Sequence, residues 1–126
     1  MAGKKWLPDP WLIDVTLHGD QCHKQGQPVV FWRPESDQAV GIKVRVGENL
    51  WSARTQWTGG KSKLAVPESM PQLDGETYRI EMGDTQSAST WHIIPDSVAT
   101  KPAQAAWMKA KGCKTQSLAM IRELQQ

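Results

Sequence analysis

The sequence predicts a mainly β domain, in which seven short antiparallel strands form a two-sheet sandwich and a C-terminal helical hairpin follows. Three observations support this class: apolar and polar residues alternate along several segments, turn-forming residues separate those segments, and the spacing becomes helical after Pro102. A chain of 126 residues fits one domain. We therefore predict an N-terminal arm at 1–10, a sandwich at 11–97 and a helical tail at 98–126, which packs on the sandwich or on a partner.

The first third of the chain predicts two strands separated by a loop. Trp11–Leu17 places alternate apolar residues on one face, as a half-buried strand does. The segment from His18 to Pro28 is rich in turn formers and predicts a hairpin or loop. Val29–Trp32 is a short apolar run that Arg33-Pro34 ends, so it predicts the second strand.

The middle of the chain contains the most regular alternation. Val40, Ile42, Val44 and Val46 point one way, and Gly41, Lys43 and Arg45 point the other, as in a half-buried antiparallel strand. Turns containing Gly and Pro, together with a polar turn at Gly83–Ser89, separate the remaining predicted strands. These strands are Leu50–Trp57, Lys63–Val66, Tyr78–Met82 and Trp91–Ile93.

The tail predicts two short helices. Pro102 suits a first helical turn and Gly112 a helix end, while Thr115 is a predicted cap for the second helix. Because each helix is too short to be stable alone, we expect the pair to pack on the sandwich, on each other or on a partner. The predicted apolar stripes are Ala103, Ala106, Trp107 and Ala110, then Leu118, Ile121 and Leu124 or Gln125.

The two cysteines leave two interpretations open. A disulfide between Cys22 and Cys113 would tie the helical tail to the first part of the domain, and closing so long a loop is worth about 4 kcal/mol. Two unrelated free thiols are the alternative, since spacing does not supply geometry. A bridge would indicate an oxidising compartment, and free thiols would be compatible with the cytoplasm.

The charge argues against nucleic acid as a partner, and the hydropathy argues against direct membrane insertion. The formal net charge is only +2, and the basic residues are scattered among acids, which is typical of solvated faces. No apolar run approaches the ~18 residues that a membrane span needs, and residues 1–5 lack the apolar core of a signal peptide. We expect either a cytosolic protein or a chain separated from a leader or anchor.

One local motif indicates a particular kind of sandwich. In Leu73-Asp74-Gly75-Glu76-Thr77-Tyr78, the only Tyr of the chain follows a turn and opens an alternating strand. A Tyr at this place in immunoglobulin-like sandwiches returns its hydroxyl to the backbone of the preceding corner. A strand Tyr that simply follows a loop is the structural alternative.

The order PVVFWRP, VGIKVRV, LWSARTQW, LAVP, LDGETYRIEM and STWHIIP resembles a fibronectin type III or related immunoglobulin-like module. The resemblance implies that Trp32 is the core Trp and Tyr78 the corner Tyr. The Leu50-Trp51 element and the trailing helices also resemble sensor-like domains that lie outside the membrane in bacterial envelope and signalling proteins. That likeness implies a periplasmic or otherwise extracytoplasmic interaction or sensor module, whose partner is another protein or another domain of the same parent protein.

The residues with chemical potential do not predict an enzyme or a cofactor site. His18, Asp20, Cys22 and His23 form the only reactive cluster, but Cys22 and His23 would point to opposite faces of a strand. The cluster also lacks the spaced ligand pairs of a zinc site. We expect no catalytic residue, no metal and no cofactor, and rank a small Cys/His hydrolase or metalloprotein last among the functions.

Tryptophan supplies the candidate binding residues. The aromatic residues are seven Trp, one Tyr and one Phe. Trp51 and Trp57 share the parity of one strand face and would suit a glycan-stacking platform, so a carbohydrate-binding module is the alternative function; core packing or cover of the sheet edge is the structural alternative. Trp6 and Trp11 flank Pro8-Asp9-Pro10 and suggest an arm that packs on the domain or on a neighbour. The exposed edge at Leu50–Trp57, this arm and the tail stripes are the predicted interaction surfaces.

Overall fold

A computed structural model describes residues 6–34 and 36–125, and it confirms a mainly β fold with two C-terminal helices. Residues 1–5 of the predicted arm and Gln126 of the predicted tail lie outside the described residues. The strands are β1 Ile13–Asp14, β2 Gly19–Lys24, β3 Val30–Trp32, β4 Val40–Val46, β5 Trp51–Trp57, β6 Lys63–Ala65, β7 Thr77–Met82 and β8 Thr85–Ile94. The helices are α1 Lys101–Ala110 and α2 Lys114–Leu124.

The strands form two sheets that share a core. The five-stranded sheet has the order β2-β8-β7-β4-β5, and the three-stranded sheet has the order β1-β3-β6. Apolar side chains from both sheets meet between them, because each strand turns its alternate residues inward. The largest buried members are Phe31, Trp57, Tyr78 and Trp91.

The strand count and the strand directions differ from the prediction. The described residues form eight strands where seven were predicted, because part of the predicted loop pairs as β2. The predicted sheet was antiparallel throughout, whereas β1 runs parallel to β3 and β2 runs parallel to β8. A parallel neighbour needs a long connection rather than a hairpin, so no local turn motif marks it in the sequence.

The prediction of a hairpin or loop at His18–Pro28 is wrong for Gly19–Lys24, all of which pairs in parallel with β8. The polar residues Gln21 and His23 are buried there. They are accommodated because the Gln21 amide donates to the Asp14 carbonyl, and the His23 imidazole meets the Gln27 carbonyl at 3.1 Å. Pairing with β8 thus overrides a turn-forming composition.

Two further strand boundaries differ from the prediction. In Trp11–Leu17 only Ile13–Asp14 is strand, because the Asp14 carboxylate accepts hydrogen bonds from the Thr16 backbone and hydroxyl and turns the chain. The predicted polar turn at Gly83–Ser89 is confined to its first residues. Thr85 already pairs with Met82, so β8 is longer than its apolar part suggested.

The helices pack through faces other than the predicted stripes. In α1 the buried residues are Gln104, Ala105 and Met108, and in α2 they are Gln116, Ser117, Ala119 and Met120. The predicted Leu118, Ile121 and Leu124 are exposed. Small and hydrogen-bonded polar side chains allow the helices to approach closely: the Ser117 hydroxyl, for example, donates to the Ala105 carbonyl.

The disulfide interpretation is confirmed, since Cys22 and Cys113 are bridged. The bridge joins β2 to the residue that precedes α2. Both cysteines are buried in a second apolar cluster with Ala105, Met108 and Met120, against which Trp11 and Trp107 pack. The tail is therefore fastened to the domain both covalently and by packing.

Candidate functional site

An apolar cleft opens between the two sheets on the side where β5 and β6 end their sheets. We call this side of the molecule the open side. The cleft has a volume of about 250 Å³ and reaches inward to the core residues Phe31, Ile42 and Val44. Its other lining residues are Trp51, Ala53, Arg54, Thr55, Leu64, Ala65, Val66 and Pro67.

On β5 the cleft lies beside the small inward residues that follow Trp51. Trp51, Ala53 and Trp57 share the inward parity of this strand. Trp51 is half-buried against the core and lines the cleft together with the shorter side chains of Ala53 and Thr55, whereas Trp57 is fully buried and is not part of the lining. Trp51 therefore borders the cleft, and Trp57 belongs to the adjoining core.

Trp57 is held in the core by polar contacts of its indole ring. The indole N–H donates to the Lys61 carbonyl at 2.9 Å, and the Arg33 guanidinium lies 5.0 Å from the ring centre. Arg33 in turn donates to the carbonyls of Gln38 and Thr58. Since Trp57 is 0% exposed, Trp51 and Trp57 do not present a pair of free rings for stacking on a glycan.

The reactive cluster of the sequence is dispersed in the structure. Cys22 is bridged, and His23 lies on the opposite side of β2, with its ring centre 6.0 Å from that of Trp91. Asp20 pairs with His92 at 2.7 Å, whereas His18 accepts a hydrogen bond from the backbone of Ala88. Within residues 6–34 and 36–125, no three His, Cys, Asp or Glu side chains are grouped as metal ligands would be.

Burial shifts the protonation of two core residues in opposite directions. Desolvation lowers the pKa of His23, so this ring is neutral in the folded protein. Its Nδ1 has no hydrogen-bond partner among the described residues. Desolvation raises the pKa of Tyr78, so its hydroxyl keeps the proton that it donates.

Tyr78 and Trp32 occupy different parts of the core. The Tyr78 hydroxyl donates to the Pro71 carbonyl at 2.7 Å and accepts from the Leu73 backbone N–H at 2.9 Å. Its ring stacks on Trp91 with centres 3.8 Å apart. Trp32 is buried in a separate small cluster with Leu7, Leu12 and Ala119, beneath the tail.

The predicted arm lies against the tail. Leu7 and Pro10 are buried, and the Arg122 guanidinium of α2 donates to the Leu7 carbonyl at 2.6 Å. The same guanidinium lies 4.8 Å from the ring centre of Trp6, which is 51% exposed. Trp11 packs against the cluster that contains the disulfide. The two Trp residues of the arm are thus in different environments.

The cleft on the open side includes residues of the predicted interaction edge at Leu50–Trp57 and adds residues of β6. Sequence patterning marked this strand but missed Ala53 and its neighbour across the cleft, Leu64. The signal available for Ala53 was its inward parity between two Trp residues. No comparable signal joined Leu64 to it, because the two residues belong to different sheets.

Comparisons with known proteins do not assign the chain to a family. No family model, curated protein or solved structure matches the chain. None of the described helices is both long enough and apolar enough to cross a membrane.

Proposed function

We propose that this chain is a non-catalytic protein-interaction module that receives an extended segment of a partner protein on its open side. The observation that carries the proposal is the apolar cleft beside a terminal strand. An edge strand offers backbone N–H and C=O groups along its free side. An extended peptide forms hydrogen bonds with those groups and also places an apolar side chain in the cleft, as in recognition by strand addition.

The composition of the cleft supports a peptide over a small apolar ligand. Phe31, Ile42 and Val44 form an apolar floor, which suits an aliphatic or aromatic side chain. A small ligand would fill this floor without using the edges of β5 and β6. A peptide uses both, and its alternating side chains match the alternation of the strand that it joins.

Three reactive side chains are bridged or buried, which supports the non-catalytic part of the proposal. Both thiols form the disulfide, and His23 is buried and neutral. A nucleophile needs an adjacent base or a positive field, and neither thiol is free to act as one.

The finer fold and the location are part of the same proposal. The two sheets form an immunoglobulin-like sandwich, supported by the hydrogen bonds of Tyr78 to the backbone of the preceding corner. The module works outside the cytoplasm of a bacterium, within an envelope or signalling assembly. The buried disulfide supports an oxidising compartment.

The test is a selection of random linear peptides displayed on phage against the whole chain. Selected sequences are synthesised, their affinity is measured by fluorescence anisotropy, and the contact is mapped by amide hydrogen exchange. We expect alternating apolar residues in the peptides and protection of the β5 backbone. Ala53→Leu fills the cleft and should weaken binding by about 10-fold or more, equivalent to about 1.4 kcal/mol.

The matched control is Ala106→Leu, which makes the same change on the exposed face of α1. It should leave peptide affinity unchanged. Peptides that protect α2 instead of β5, or that bind Ala53→Leu as well as the original chain, would contradict the proposal.

A further inference from the structure

The fold gathers basic residues that are scattered in the sequence. Lys43 and Arg45 on β4, Arg54 on β5 and Arg79 on β7 all have the outward parity of the five-stranded sheet. Lys43 is half-buried and the three Arg residues are exposed. We call these four residues the basic face. It lies on the outer surface of the sheet, and Arg54 is the member that also lines the apolar cleft.

The strand register places like charges side by side. Arg45 is directly opposite Arg79, and Lys43 is directly opposite Arg54. Like charges opposite one another destabilise a sheet. Glu81, opposite Lys43 on the other side, is the one acidic neighbour in this register. In the part of the chain that the structure describes, no carboxylate forms an ion pair with any of the four basic residues.

Two shallow grooves cross the basic face. One, of about 560 Å³, lies beside Lys43 and Arg54, where Gly41 contributes no side chain. The other, of about 370 Å³, lies beside Arg45 and Arg79 and reaches His18. Both grooves are lined by Glu81, so they are neighbours on the surface of the sheet.

We infer that the basic face binds an anionic polysaccharide, whose carboxylate or sulfate groups neutralise these opposed cations. A long unbranched polyanion fits an open path across a sheet better than a compact anion does. Polar side chains on the same surface, Ser52, Gln56 and Gln86, supply hydrogen-bonding groups for sugar hydroxyls. The inference concerns a different surface from the proposed function and does not depend on it.

The outward residues favour a glycan over the other polyanions. Single-stranded nucleic acid is bound by aromatic side chains on which bases stack, and the outward positions of β4, β5 and β7 carry none. An acidic protein surface would normally meet an interface with aromatic and apolar residues at its centre. Binding at a lipid surface commonly adds apolar side chains that insert among the headgroups. The basic face offers only polar and charged groups.

The test measures binding of the whole chain to a heparin octasaccharide, an oligogalacturonide and neutral maltooctaose by isothermal titration calorimetry at low and physiological salt. The first two probes distinguish sulfate from carboxylate recognition. We expect at least one anionic glycan to bind, salt to weaken that binding, and maltooctaose not to bind. Arg45→Gln with Arg79→Gln should weaken binding roughly 10-fold. Glu81→Gln should tighten it about 2-fold.

The matched control is Lys109→Gln with Lys114→Gln, which removes the same charge from exposed positions of the helices. It should change the affinity less than about 2-fold. The inference is overturned by equal losses in the two double variants, by absence of binding to both anionic glycans, or by tighter binding of oligothymidylate, polyglutamate or phosphatidylglycerol vesicles. Peptide binding at the cleft should be the same in Arg45→Gln with Arg79→Gln, so failure here is distinguishable from failure of the proposed function.

Discussion

The sheet edges on the two lateral sides of the core differ in how they are covered. On the closed side, where β1 and β2 end their sheets, α2 contacts β2 and the segment before β1, and the disulfide holds the start of this helix there. On the open side, β5 and β6 end their sheets beside an apolar cleft. The same architecture thus covers the edge on one side and leaves the edges on the other accessible, and the accessible side is where we propose that a partner binds.

The closed side also contains a buried polar clamp. The Gln116 carbonyl oxygen accepts from the Cys22 backbone N–H at 2.7 Å. Its amide nitrogen donates to the carbonyl of Cys22 at 2.6 Å and contacts those of Pro10 and Leu12 at 3.0 and 3.4 Å. One side chain of α2 therefore satisfies backbone groups on β2 and on the segment before β1.

Removing the disulfide should give the largest loss of stability. Cys22→Ser with Cys113→Ser releases a cross-link that spans 91 residues, and the free energy of unfolding should fall by about 4 kcal/mol. Urea denaturation followed by Trp fluorescence measures it. Reduction of the original chain should give a similar value. An unchanged unfolding midpoint would mean that packing alone holds the helices.

Removing the polar clamp should have the next largest effect. Gln116→Ala leaves buried backbone groups of Cys22, Pro10 and Leu12 without their partner, at a cost of about 3 kcal/mol in the free energy of unfolding. The same urea experiment measures it. Gln125→Ala, at the exposed end of α2, is the control and should stay within about 0.5 kcal/mol. A small loss in Gln116→Ala would show that the backbone groups find other partners.

The buried imidazole of β2 should make stability depend on pH. Because burial lowers the pKa of His23 below its ordinary value of 6.5, the unfolded chain binds a proton there more readily than the folded one. The free energy of unfolding should therefore fall, by about 1 kcal/mol, as the pH drops from about 7 to about 5. His23→Gln should flatten this part of the profile, and His18→Gln should not. A fall that persists in His23→Gln would assign it to other groups.

The open side should respond in the opposite direction to added volume. Ala53→Leu adds apolar atoms to an existing gap, so the free energy of unfolding should rise by about 0.5–1 kcal/mol. Ala106→Leu on the exposed face of α1 should change it by less. A loss of more than about 1 kcal/mol in Ala53→Leu would mean that the site is already filled.

The strands most predictable from the sequence are those whose pairing is local. β4 shows a strict alternation and pairs with β5, its neighbour along the chain, so both were found close to their bounds. β2 was missed because its partner β8 lies far along the chain, and its buried polar residues are satisfied by contacts that no local pattern encodes. The two helices were predicted correctly, but their buried faces were not. Hydrogen-bonded Gln and Ser side chains are buried, whereas burial of Leu and Ile was expected in α2.

The candidate site was predictable only in part. Alternation placed Trp51 and Trp57 on one face of β5, and the structure places that face against the core. Whether rings on that face would stack on a ligand or pack inside depended on the second sheet. Likewise, the basic face depends on the register of three strands, which places side by side basic residues that are far apart in the sequence.

The position of the disulfide decides how this domain would carry a mechanical load. Cys22 lies near one end of the chain and Cys113 near the other, and every strand from β3 to β8, together with α1, lies between them. A pull applied to both ends would pass through the S–S bond, and only the segments outside the bridge would extend. The strands that line the cleft and bear the basic face would carry none of that tension.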